Sequence, residues 1–313
     1  MKKKWIAVLT AMTIVTTTVV PQAVITAQAA PVTEESIGLL GASTATGAEK
    51  DSNGDGVSDN GFVYQVSGTT ATITAYRGTA TALTVPLRIE VGTSTSGSKT
   101  ATTVTYDVTA IGSAAFAGNA GLTTVTMQGG TPATGSGSSS ATPAAVGLQT
   151  IGDRAFYGCP SLTTVTIPAT ATTIGSQAFS DCPALNALNV TAGNQRYISN
   201  DGVLYQYVGY NSGVVGSYNT YTLMQYPSGK TSTVFAVPAS IASRLTAIGQ
   251  GAFAGAQTLT SVTLPETVES IGAEAFRNCS ALTSITIPSK VTNISSYAFS
   301  GCSALAAVSI PPT

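Results

Sequence analysis

Asp51, Asn53, Asp55 and Asp59 place side-chain oxygens at positions 1, 3, 5 and 9 of one short run, with Gly56 at position 6. Hard cations of the calcium kind take such oxygens, and the glycine allows the sharp turn that gathers them. Position 12, where a bidentate glutamate would complete the shell, is Phe62. Two readings stand side by side: a weak calcium site, and a plain linker rich in Asp, Asn and Gly. Calcium is thus the one cofactor the sequence suggests. The chain has no histidine, which removes Ser-His-Asp and Cys-His catalysis and imidazole-held metals. Carboxylate, Lys or Tyr chemistry remains open. Glu266, Glu269 and Glu274 cluster in sequence but fall on surface positions of a repeat with no matching partner. No catalytic residue is assigned, and the chain reads as a non-enzyme.

A second concentration of chemistry is aromatic. Seven of the 12 tyrosines fall in the segment 191–234: Tyr197, Tyr205, Tyr207, Tyr210, Tyr218, Tyr221 and Tyr226. Between Gln206 and Tyr221 they alternate with Asn, Ser and Gly, the composition of an adaptable binding surface, in which Tyr supplies area and small residues supply reach. Tyr207, Tyr210, Tyr218 and Tyr221 are the candidate ligand contacts. The same residues would also suit a tyrosine-rich strand ladder packed on the edge of the fold.

These residues are positioned by a repeat. The pair Ala-Phe occurs with Phe116, Phe156, Phe179, Phe253, Phe276 and Phe299, and three of the steps between them are 23 residues. Five residues before each Phe stands Ile, and six after stands Leu. The pattern Leu-x-x-Val-x-Ile, as in Leu162, Val165 and Ile167, alternates with outward Thr164 and Thr166. That is the period of a strand. One short strand cannot bury its own face, so the coils must stack their strands in parallel. The Ile-Gly-x-x-Ala-Phe part predicts a short helical or 3-10 turn opened by Gly or Ser. Two residues after each Phe come Gly118, Gly158, Asp181, Gly255, Asn278 and Gly301, types that tolerate a left-handed backbone. Cys159, Cys182, Cys279 and Cys302 all sit three residues after a Phe. Parallel stacking points them the same way, which is poor disulfide geometry; no disulfide is expected, and buried free thiols are favoured over pairs or a metal. Strands usually end in Pro. The two coils lacking it precede insertions: a Gly/Ser/Thr/Ala/Pro loop at 129–147 and the tyrosine-rich hairpin at 191–234.

The N-terminus carries Lys2, Lys3 and Lys4, then the apolar, Thr-diluted run Trp5 to Val20, then Ala27-Gln28-Ala29. This is the layout of an export signal covering residues 1–30. Taking its three lysines from 13 Lys+Arg against 14 Asp+Glu leaves a net charge of −4. A mildly acidic surface excludes nucleic acid as the expected partner. Residues 31–61 are a lead-in with the calcium-type loop, its stretch 31–50 expected to be poorly ordered, and 62–313 form the repeat domain. The chain stops at Pro311-Pro312-Thr313, just past a strand, with no apolar tail or polar cap.

Ile151 to Pro168 and Ile271 to Pro288 resemble the BspA-type bacterial leucine-rich repeat, also seen in Treponema surface proteins: Ile-Gly-x-x-Ala-Phe-x-x-Cys-x-x-Leu-x-x-Val-x-Ile-Pro. The hairpin start Asp201 to Tyr205, closed by Tyr226-Pro227, and the segment Ala71 to Gly78 are similar to other parts of that family. The resemblance implies an α/β repeat fold, a right-handed leucine-rich-repeat solenoid with one short parallel strand and a short turn per coil and a β-hairpin insertion. It further implies a secreted or cell-surface bacterial protein with an adhesin-like role toward extracellular protein or glycan. Two other readings stay in view. A structural or surface-layer solenoid would use the outward Thr-x-Thr rows, Thr124/Thr126 and Thr164/Thr166, to organise water or ice. A hydrolase would use the three glutamates.

Overall fold

The computed structural model of the chain describes residues 48–51, 56–93, 102–130, 147–209 and 220–310. The export signal, Asn53, Asp55, most of the loop 129–147, Tyr210 and Tyr218 lie outside the described residues. The described strands are β1 (Ala48–Asp51), β2 (Phe62–Ser67), β3 (Thr70–Tyr76), β4 (Ala82–Val85), β5 (Arg88–Thr93), β6 (Thr102–Ile111), β7 (Thr124–Met127), β8 (Thr150–Ile151), β9 (Thr164–Ile167), β10 (Thr173–Ile174) and β11 (Ala187–Val190). The chain continues with β12 (Tyr197–Asn200), β13 (Val203–Val208), β14 (Thr220–Gln225), β15 (Val234–Ala236), helix α1 (Ala239–Ala242), β16 (Leu245–Ile248), β17 (Ser261–Thr263), β18 (Ser270–Ile271), β19 (Ser284–Thr286), β20 (Asn293–Ile294) and β21 (Ala307–Ser309). The expectation of a poorly ordered stretch up to residue 50 is corrected at its end, since β1 pairs in parallel with β5.

A regular coil has three walls, which the coil of Phe156 shows. Its first wall is β8, which pairs in parallel with β6 and β10 and stacks Ile111, Ile151 and Ile174 in one column. Its second is β9, which pairs with β7 and β11, so that Val125, Val165 and Leu188 are partners. Leu188 and Val165 stand one 23-residue period apart, as do Val308 and Ile285. Both walls alternate inward apolar and outward hydroxyl residues, as the period of two requires.

The third wall takes a different form from the short helix expected of Ile-Gly-x-x-Ala-Phe. The residue two after each Phe does adopt positive φ, from +57° at Asp181 to +77° at Gly255. So does the residue two before: Ala114, Arg154, Gln177, Glu274 and Tyr297 lie at +54° to +58°, and Gly251 at +65°. Alternating hands of backbone turn every second N–H toward the next coil. Arg154, Phe156 and Gly158 donate to the carbonyls of Ser176, Ala178 and Ser180 at 2.8–3.0 Å. A helix would satisfy all its N–H groups within itself; here Ala155 and Tyr157 keep 3-10-type bonds to the carbonyls of Gly152 and Arg154, while the N–H groups between them use the neighbouring coil. The glycine that follows five of the six Ile residues (Ser295 follows Ile294) serves closeness and does not cap a helix. A Cβ on Gly175 would lie 2.4 Å from the Asp153 nitrogen, and one on Gly152 2.6 Å from that of Ser113.

The walls enclose the phenylalanines. Phe116, Phe156 and Phe179 form one stack at 4.8 and 5.6 Å, and Phe253, Phe276 and Phe299 another at 4.8 and 5.3 Å, with nearly parallel rings. Tyr76 heads the first stack, 5.7 Å from Phe116, and Tyr226 heads the second, 5.4 Å from Phe253. Both tyrosines end hairpins that feed the repeat: β2–β3 and β13–β14 are antiparallel, while β3 pairs in parallel with β6 and β14 with β16. A hairpin of the same design, β5–β6, delivers Ile111 to its column.

The tyrosine-rich insertion divides the array. The first two walls stop at β10 and β11 and restart at β14 and β15. Two apolar cores result, and β13 is the partition between them. Leu204 packs into the first, and its neighbours Val203 and Tyr205 into the second. That is strand alternation used on two buried faces. The coil of Tyr226 is short. Leu223 stands in the Ile column, but Tyr226 follows after three residues where Phe179 follows Ile174 after five. The omitted residues are those of the third wall.

Candidate binding surface

Among the described residues, expected contact residues meet at the hairpin root. Tyr207 and Tyr221 face each other across β13 and β14, with ring centres 5.1 Å apart. The Arg244 guanidinium lies 5.2 Å from the centre of the Tyr221 ring, and its Nη2 donates to the Tyr221 hydroxyl at 3.4 Å. Tyr221 is buried, Tyr207 half-buried, Arg244 exposed, and Val208 beside them is 43% exposed. Burial raises the Tyr207 phenol above its ordinary value, with the neighbouring Tyr221 adding to the shift. The group is therefore an aromatic pair stiffened by a cation, and its outward parts are Tyr207, Val208 and Arg244. Tyr221, expected as a contact, is turned inward. Tyr210 and Tyr218 lie outside the described residues, in the link between the strands. Arg244 escaped the sequence reading, although it stands one 23-residue period after Tyr221.

The second-wall face carries hydroxyl rows. Thr84, Thr126, Thr166 and Asn189 are register partners, as are Ala82, Thr124, Thr164 and Ala187. A further Thr column was not anticipated. The Thr123 and Thr163 hydroxyls donate to Thr81 and Thr123 carbonyls at 3.0 and 2.8 Å. Thr260 and Thr283 do the same in the second array. These threonines clamp coil to coil, so much of the Thr content is structural.

Asp51 is fully buried. Its Oδ2 accepts from the Gly56 nitrogen at 3.0 Å and the Tyr64 hydroxyl at 2.7 Å, while Asp59 is exposed. Tyr64 was not foreseen as a partner. Its hydroxyl gives the Asp51 carboxylate a structural task, tying the lead-in to the first hairpin.

The cysteines share one task. The thiols of Cys159, Cys182, Cys279 and Cys302 donate to the carbonyls of Phe116, Phe156, Phe253 and Phe276, each in the preceding coil, at 3.0–3.1 Å. The first three are buried and Cys302 is half-buried. Cys182 and Cys279 are pushed well above the ordinary thiol value by the hydrogen bond with the neighbouring cysteine and by burial. The glutamates are engaged separately. Exposed Glu266 accepts from the Ser289 nitrogen and hydroxyl at 3.0 and 2.9 Å, which lowers its pKa. Glu274 binds Arg277 and Gln177 at 2.8 and 3.0 Å.

Residues 138–202 and 237–313 match the BspA type leucine rich repeat region, in six copies. The gap between the matched stretches is the hairpin and the short coil. A leucine-rich repeat protein from Eubacterium ventriosum is 26% identical over 65% of this chain and 46% of its own, with a TM-score of 0.49, so this chain spans under half of that protein. A leucine rich cell surface protein from Faecalibacterium prausnitzii is 21% identical over 82% of this chain and 94% of its own, TM-score 0.39. The pneumococcal vaccine antigen PcpA is 20% identical over 80% of each chain, TM-score 0.39. No curated protein matches. The coils on both sides of the hairpin thus match the BspA type leucine rich repeat region over residues 138–202 and 237–313.

Proposed function

We propose that this chain is an exported, cell-surface or secreted bacterial binding protein that recognises extracellular protein or glycan with the tyrosine-rich hairpin and the adjoining solenoid face. The observation that carries the reading is the group of Tyr207, Tyr221 and Arg244. β14 is locked into the repeat by its parallel pairing with β16. The residues beyond the group therefore start from a rigid base, and their Tyr, Asn, Ser and Gly composition suits adaptable contact. A pre-organised aromatic and arginine base limits the entropy lost on binding. The net charge of −4 after loss of the export signal favours a partner that is not polyanionic.

The test is binding of labelled full chain to immobilised matrix proteins and to a glycan array. It is compared with a chain in which residues 210–219 are replaced by Asn-Gly and with Arg244→Ala. Loss of a bound spot in both variants, with unfolding midpoints unchanged, supports the reading. Identical binding by all three chains removes the hairpin from it.

A further inference from the structure

The face of β13 that carries Val203, Tyr205 and, further along, half-buried Tyr207 borders a cavity of about 190 Å³ at its Val203–Tyr205 end. Tyr205 and Tyr226 line it and are 0% and 1% exposed. Neither hydroxyl has a hydrogen-bond partner among the described residues. A buried hydroxyl left unpaired costs about 1–3 kcal/mol, and natural folds seldom keep two in one place without a use. Burial first, and the nearby Asp201 carboxylate second, raise both phenols above their ordinary value. They are therefore neutral donors near neutral pH, looking for an acceptor.

Lys230 also lines the cavity. Its Nζ meets Asp201 Oδ2 at 3.0 Å, and the two side chains are exposed very unequally, at 18% for Lys230 and 84% for Asp201. A largely covered cation thus holds a carboxylate that water can reach from nearly every side. Such a pair contributes little to stability, and another carboxylate can take Asp201's place without leaving Lys230 uncompensated. The rest of the wall includes the apolar side chains of Val203, Val234 and Phe235.

We infer that this cavity binds a small carboxylate with an apolar tail: its oxygens take the Tyr205 and Tyr226 hydroxyls and the Lys230 ammonium, and its tail lies against Val203, Val234 and Phe235. The volume suits a group of a few carbons, whether a free short-chain acid or the C-terminal residue of a peptide. The site shares no residue with the group of Tyr207, Tyr221 and Arg244 and does not rest on the binding role proposed for it.

Titration calorimetry on the full chain with butyrate and butyramide, and with acetyl-Ala-Val as free acid and as C-terminal amide, tests the inference. At least one acid should bind saturably, with its amide at least tenfold weaker. Butyrate alone binding identifies a free acid as the ligand; the peptide acid binding more tightly identifies a chain terminus. Tyr205→Phe/Tyr226→Phe and Lys230→Gln should each weaken the acid at least tenfold. The chain with residues 210–219 replaced should bind the acid as before, which separates this site from the hairpin reading. Absence of saturable binding by both acids, equal binding of acid and amide, or unchanged affinity in the tyrosine double variant overturns it. Should a variant fail to fold, the comparison of acid with amide on the unaltered chain still decides.

Discussion

Arg277 reaches over a whole coil to pair with Asp181. The coil between them, that of Phe253, is bare at the matching places, with Gly251 and Gly255 where its neighbours carry Gln177, Asp181, Glu274 and Asn278. Gln177 crosses the same gap to Glu274 at 3.0 Å, and the Tyr157 hydroxyl joins Asp181 from the opposite side. Below them Ser180 donates to the Gln225 amide oxygen at 3.0 Å, and the Gln225 nitrogen donates to the Tyr226 carbonyl at 3.0 Å. Side chains thus join the two arrays at the point where the short coil omits the third wall.

This clasp makes Asp181 a strong determinant of stability. Asp181 and Arg277 side chains are about one-fifth exposed, so the pair is only modestly screened. Asp181→Ala leaves the guanidinium and the Tyr157 hydroxyl short of an acceptor and should lower unfolding free energy by about 1–3 kcal/mol in urea. A double-mutant cycle with Arg277→Ala should return a coupling of about 1 kcal/mol or more; additivity would show that the two do not act together.

Backbone hand in the third wall predicts opposite effects of opposite substitutions. Ala114 is exposed at φ +56°, so Ala114→Gly removes left-handed strain and should raise stability by about 0.5–1 kcal/mol. At Gly251 a Cβ would stand 3.0 Å from Gln177 Cγ and 3.1 Å from Ser180 Oγ at φ +65°. Gly251→Ala should cost about 1–3 kcal/mol. Thermal unfolding of the two variants beside the parent checks the pair, and a shift of the same sign in both would refute the argument.

Thiol accessibility should follow position in the stack. Cys302 is half-buried and the other three are buried. A thiol-specific disulfide reagent should therefore modify Cys302 first in the folded chain, and the rest only as the protein unfolds. Mass mapping of the labelled cysteines reads the order. Early labelling of Cys159 or Cys182 would contradict the burial described.

Alkaline conditions should loosen the second core first. The Tyr226 phenol is pushed up from 10.0 to about 12, chiefly by burial, and Tyr205 is raised in the same way. A phenol whose folded pKa is raised supports the fold fully below the unfolded value. That support declines as pH rises through 10 and toward the folded value. Stability should thus fall between about pH 10 and 12, with a smaller slope in Tyr226→Phe. Denaturant midpoints across that range, with tyrosinate absorbance alongside, measure both.

The repeat was legible because its residues each have one use. The alternation of Val and Ile with Thr marks the second wall, and the Gly, Asp or Asn after each Phe announces a left-handed backbone. The first left-handed position was hidden, since Ala114, Arg154, Gln177, Glu274 and Tyr297 are types that do not advertise it. At Ala114, Arg154 and Glu274 that conformation aims the N–H at a carbonyl of the next coil, a contact no local pattern encodes. The short coil was hidden for a different reason. Leu223, Tyr226 and Ser228 perform repeat tasks at shortened spacing, with Ser228 donating to the Cys182 carbonyl at 2.7 Å. The hairpin was visible by composition; the inward turn of Tyr221 follows from the alternation of β14, which buries Tyr221 with Leu223, and Arg244 from the following coil lies over its ring.

The partition at β13 has a consequence for how such a chain can change length. On either side of it, registers between regular coils run in whole periods, Leu188 to Val165 before and Val308 to Ile285 after. Adding or deleting one complete 23-residue unit within either array would preserve every pairing between the coils that remain. Neither array takes its register from the other, because the hairpin and the side-chain clasp stand between them. Units before the coil of Phe156 or after that of Phe276 are therefore free to be duplicated or trimmed on their own, with the tyrosine-bearing hairpin and the clasp carried along unchanged.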